Sequence, residues 1–117
     1  MKFAKKVNIL GTDYIIKRKN YDECLHFTKD GWSGWCSRYK PVICIGNLET
    51  FPYIETDTEI IEKVTLRHEI IHAFLNESGL MSSSCSVEAW ADCEEMIDWV
   101  ALQGPKIYKA WKEAGCL

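Results

Sequence analysis

The chain has 117 residues, 47% of them hydrophobic and 26% charged, with 14 basic against 17 acidic side chains and a net charge of −3. That length and apolar content suffice to bury a continuous core, so residues 1–117 read as one globular domain and not as a disordered or staple-dependent chain. The acidic balance excludes the footprint of a dedicated nucleic-acid binder, and no run approaches the roughly 20 apolar residues that cross a bilayer.

The first residues carry lysines but no apolar segment followed by a small-residue cleavage site, so a cytoplasmic protein is expected. Six cysteines, at positions 24, 36, 44, 85, 93 and 116, include no CxxC pair. In that compartment they are expected to be reduced, several of them packed as small apolar side chains.

In chain order, apolar runs at 7–10 and 14–17 flank Gly11-Thr12-Asp13, a pattern that predicts a hairpin. A short helix is expected over 22–27, then a loop around Asp30-Gly31-Trp32-Ser33-Gly34 and a third strand at 42–45. That strand is read either as a sheet edge or as part of the core. The second half is helical. Thr56 and Glu59 have capping-box spacing, and Ile60, Val64, His68, Ile71 and Leu75 recur at helical intervals, predicting a helix over 57–78 that stops at Gly79. A serine-rich loop then leads into a second helix over 87–103, ended by Gly104-Pro105, and a third runs to about residue 113. Strands followed by helices indicate an α+β fold with a small antiparallel sheet of three strands.

The chemistry is carried by His68-Glu69-Ile70-Ile71-His72. At 100° per residue the two histidines lie one turn apart on the predicted buried stripe, so both imidazoles can reach one metal ion. Glu69 stands on the flank of that stripe, poorly placed to ligate but well placed to accept a proton from a water that the metal activates. The bland reading is a pair of ordinary core histidines with a solvated glutamate. Catalytic zinc needs a third protein ligand and an open position. On the second helix, Glu94 and Asp98 share the stripe of Trp90, Ile97 and Ala101, whereas Glu88, Asp92 and Glu95 are rotated away. Glu94 is therefore the expected third ligand and Asp98 the acceptor that orients His68. Glu95, then Cys93, are the alternatives. His26 has no partner at ligand spacing and reads as a satisfied or surface histidine.

Charge follows the same division. Residues 1–20 hold six basic side chains against Asp13, whereas 68–105 contain seven carboxylates and neither Lys nor Arg. A bound cation would relieve such an excess, and solvated helix faces would tolerate it.

HExxH, 21 intervening residues, and then Glu94 with Asp98 four positions later resemble the gluzincin zinc metallopeptidases, with their HExxH and ExxxD pattern. A closer resemblance is to small phage and prophage zincins related to the ImmA/IrrE-type metallopeptidases. It is carried by residues 7–12, Asp30-Gly31, 66–75, Glu77-Ser78-Gly79-Leu80 and 94–99. In those proteins the two histidines and the later glutamate bind Zn2+, the motif glutamate is the general base, and the later aspartate orients a histidine. The resemblance implies hydrolysis of a peptide bond in a protein or peptide substrate, with the substrate laid along a sheet edge. An ExxA-type alignment would instead put Glu95 in the ligand position, and no second lobe is visible to form the far wall of a cleft. Two other classes are a catalytically idle zinc-binding regulatory module and an acidic scaffold that contacts a basic partner without metal.

Overall fold

A computed structural model describes residues 3–83 and 90–117. Within them the chain is a compact α+β fold built on one four-stranded sheet of order β1-β2-β4-β3. The strands are β1 (Lys6–Ile9), β2 (Thr12–Lys19), β3 (Gly34–Cys36) and β4 (Val42–Gly46), and the helices are α1 (Leu25–Thr28), α2 (Thr58–Glu77), α3 (Leu80–Ser83) and α4 (Glu94–Ala114).

The expected hairpin is β1–β2, with a tighter turn than the sequence suggested. Thr12 and Asp13 already belong to β2, and the reversal falls on Leu10 and Gly11, both at positive φ (50° and 94°). The sheet is mixed and not antiparallel as expected. β2 and β4 pair in parallel, Ile16 opposite Ile43 and Arg18 opposite Ile45. A parallel pair requires a crossover, and the chain between them supplies it through 3-10 turn Tyr21–Glu23, α1 and β3.

β4 is therefore the inner strand, which removes the edge reading of 42–45. Ile43 and Ile45 pack with Ile9, Tyr14 and Ala73 beneath α2, while Cys44 faces Phe27, Leu48 and Phe51 on the other side. Both faces are covered, which is why this strand is an unbroken apolar run and not an alternating one. The edge beyond β4 is β3, whose three residues are too few to give a periodic signal. Its approach to α2 requires a glycine: a Cβ on Gly34 would lie 2.7 Å from Thr65 Cγ2 and 3.4 Å from Glu69 Cγ.

Three helical expectations change. The Thr56/Glu59 capping box does not form; Asp57 is the N-cap, in the left-handed region (φ 58°), with no side-chain cap bond. The buried face of α2 is also rotated from the predicted stripe, since Glu62, Glu69 and Ala73 face the sheet whereas Ile60 is 64% exposed. Burial of Glu62 rests on Arg18, whose Nε and Nη2 donate to its two carboxylate oxygens at 2.6 and 3.1 Å, with the Leu48 N–H adding a third bond at 3.3 Å. The hydrogen bond to Glu62 raises the Arg18 pKa. A helix period identifies a stripe only if its polar members are unpaired, and here an arginine four strand-residues past the core made a glutamate the buried choice.

Gly104-Pro105 does not end the helix that carries Glu94. α4 runs from Glu94 to Ala114 with Pro105 inside it and Gly115 at its left-handed C-cap, so the expected second and third helices are one. A proline in a helix interior leaves the carbonyl four residues earlier without its N–H donor. That carbonyl belongs to Ala101, which is 1% exposed, and Arg67 Nε donates to it at 2.7 Å. The break is repaired from α2. The predicted start at 87 lies outside the described residues; the described part opens with the 3-10 turn Trp90–Asp92.

Candidate metal centre and cleft

Because Glu69 faces the sheet, His68 and His72 point one step around α2, toward the first turns of α4. Their Nε2 atoms lie 3.1 Å apart. Two nitrogens bound to one tetrahedral ion at 2.0–2.1 Å would stand about 3.3 Å apart. The Glu94 carboxylate straddles the pair, Oε2 2.9 Å from His68 Nε2 and Oε1 3.2 Å from His72 Nε2. One ligand atom from each of the three residues falls within a 4.8 Å span. Among the described residues Glu95 and Cys93 lie outside this group.

Asp98 Oδ1 lies 2.5 Å from His68 Nδ1. An Nδ1–H donated to that carboxylate leaves the Nε2 lone pair directed at Glu94 and His72. In that tautomer two imidazole nitrogens and a carboxylate converge on one point, a donor set that fits a divalent cation. Burial, opposed by Glu94 and assisted by His68, lowers the His72 pKa and so favours the neutral imidazole that ligates metal. Glu94 and Asp98 are not on a buried stripe as expected. Their side chains are 63% and 60% exposed and rim an open cleft, while Ile97 and Ala101 hold α4 to the core.

Glu69 is the most deeply buried group of the motif, 5% exposed. Desolvation pushes its carboxyl up to about 7; the neighbouring His68 opposes this, while Glu94 and Asp98 add to it. A carboxyl with that pKa can take up and give back a proton near neutrality.

The far wall missing from the sequence is supplied by β3 and its flanks. A cleft of about 670 Å³ is bounded on one side by residues 31–36 and Arg38, and on the other by α2, Asp92, Glu94 and Asp98. Gly46 N donates to Ser33 O and Ser37 N to Val42 O, which puts residues 33, 35 and 37 in the ladder with β4. The main-chain N–H and C=O groups of Gly34 and Cys36 therefore lie on the outer edge of the sheet. Burial drives the Cys36 thiol up to about 12, so it stays protonated beside Glu69.

Sequence reasoning missed the cleft residues Trp32, Arg38 and Asn76, which sit on or beside β3 or one turn past His72 and match no spacing rule. His26 is satisfied, as expected: its Nδ1 lies 2.8 Å from Asp30 Oδ2. No family model matches the chain, and neither a curated protein nor a solved structure matches it.

Proposed function

We propose that the chain is a zinc-dependent peptidase of the HExxH type, related to the gluzincins and to the small phage ImmA/IrrE-like zincins. The observation that carries this reading is the meeting of His68, His72 and Glu94 beside a buried carboxyl, in a cleft that a strand edge borders. His68, His72 and Glu94 would hold the ion. A divalent ion bound there supplies Lewis acidity, lowering the pKa of water and polarising a carbonyl.

The chain's own groups do the rest. Glu69 accepts the proton of the attacking water and returns it to the leaving amine. Asp98 keeps the His68 imidazole in the tautomer and orientation that ligation needs. The outward-facing main-chain N–H and C=O groups of Gly34 and Cys36 pair with an extended peptide and hold its scissile bond against α2.

The test is cleavage of a synthetic peptide library by the zinc-loaded protein, followed by mass spectrometry, with Glu69→Gln alongside. The wild type should cut, and Glu69→Gln should retain its zinc and lose at least about 100-fold in rate. Undiminished cleavage by the variant excludes Glu69 as the base. Full zinc occupancy without cleavage by the wild type replaces the enzyme with a zinc-binding interaction module.

A further inference from the structure

We infer that the cleft selects an extended peptide segment with an aromatic or large apolar side chain at one end and a carboxylate at the other, about six residues apart. This rests on the peptidase reading of the cleft and names its substrate class.

The selectivity follows from what brackets β3. Trp32 precedes the strand and Arg38 follows it, and both line the cleft. α2 runs alongside in the same sense: Thr65 meets Gly34, and further on Asn76 Nδ2 donates to Ser37 O at 3.4 Å. His68, Glu69 and His72 lie between those two contacts. A peptide paired to the β3 edge would thus pass Trp32, the reacting groups and Arg38 in turn, and six residues of extended chain span about 20 Å.

Trp32 is held in place without a ligand. Its indole stacks on the His26 ring at 4.6 Å and 10°, His26 is fixed by Asp30, and the main-chain N–H of Trp32 donates to the main-chain O of His26 at 3.1 Å. The residue is nevertheless 49% exposed. An aromatic face whose rotamer freedom is already restricted loses little entropy on contact with a substrate side chain.

Among the described residues lining the cleft, Arg38 is the one lysine or arginine, against Glu69, Asp92, Glu94 and Asp98. Its Nη2 lies 3.7 Å from Met81 Sδ, and among the described residues it meets no carboxylate. A guanidinium fork left with a thioether neighbour matches a carboxylate bidentately. The acidic wall repels a carboxylate elsewhere along the cleft, so the anionic group of a substrate settles at this end.

The experiment measures binding of fluorescein-labelled octapeptides to the Glu69→Gln protein by anisotropy. The parent peptides carry Phe and Glu with five residues between them, in both orders. Replacing Phe by Ala should weaken binding of the better order about tenfold, and less than about twofold once Trp32→Ala is added. Replacing Glu by Gln should do the same, with the selectivity erased by Arg38→Gln. Free-acid and amide termini separate a side-chain carboxylate from a chain terminus; preference for either supports the inference. Equal losses in all protein backgrounds overturn it, as does the failure of every peptide to bind at about 1 mM. Cleavage of the same peptides by the wild type is read separately. Selective binding without cleavage keeps the inference and sinks the peptidase, and cleavage without the two selectivities does the reverse.

Discussion

Glu69 shows what a motif letter leaves unsaid. HExxH spacing makes it the candidate base and puts it on the flank of the histidine stripe; in the fold that flank is buried against the sheet beneath Gly34. The difference has a pH signature in the metal-free protein. The folded pKa is raised to about 7 from a model-peptide value of 4.5, so between those values the folded chain holds a proton that the unfolded chain has lost. The contribution to stability is fully present below about pH 4.5 and is lost as pH rises through 7. Gln at this position has no charge to bury. With chelator present, Glu69→Gln should match the wild type near pH 4.5 and exceed it by about 1–3 kcal/mol at pH 8, read from urea denaturation. An equal difference at both pH values would contradict the assignment. The remaining site residues divide by how local their signal is. His68, His72, Glu94 and Asp98 stand at helical spacings that a sequence displays, while Trp32 and Arg38 reach the cleft only because β3 folds beside α2.

At the scale of elements, the meeting of His68, His72 and Glu94 depends on how α4 lies on α2, and that contact runs through Arg67, Ala101 and Pro105. Arg67→Ala would leave a buried carbonyl without a donor and should cost about 1–3 kcal/mol. Pro105→Ala restores a helical N–H to the same carbonyl, so Arg67→Ala should cost less than about 1 kcal/mol in that background. Denaturant melts of the four proteins give the coupling directly; strict additivity would show that the two residues do not share that acceptor. The same contact explains why Gly104-Pro105 does not act as a stop. Proline breaks a helix for want of a donor, and here the donor comes from 34 positions away. A long-range pair of the same kind, Arg18 with Glu62, accompanies the rotation of α2. The hairpin, the existence of an apolar strand at 42–45, the main helix and the α+β class were legible because local periodicity and turn residues decide them. Strand order and helix rotation depend on tertiary pairing.

Over the whole molecule, the net charge of −3 conceals a basic N-terminal region and a long acidic stretch that contains the site. Glu69, Asp92, Glu94 and Asp98 gather around one cleft, where a divalent cation would offset their repulsion. Folding and metal binding are then linked: zinc at about 100 times its Kd should stabilise the wild type by about 2.7 kcal/mol, and the shift in Tm should vanish in His72→Ala. A wild-type Tm indifferent to zinc would leave the acidic cluster as solvated surface. The most direct measurement is a crystal structure of the zinc-treated protein with anomalous data on both sides of the zinc edge. The account predicts one strong peak about 2.0–2.2 Å from His68 Nε2, His72 Nε2 and a Glu94 carboxylate oxygen, with Asp98 still on His68 Nδ1. No peak there, or a peak whose third protein ligand is Glu95 or Cys93, would contradict it.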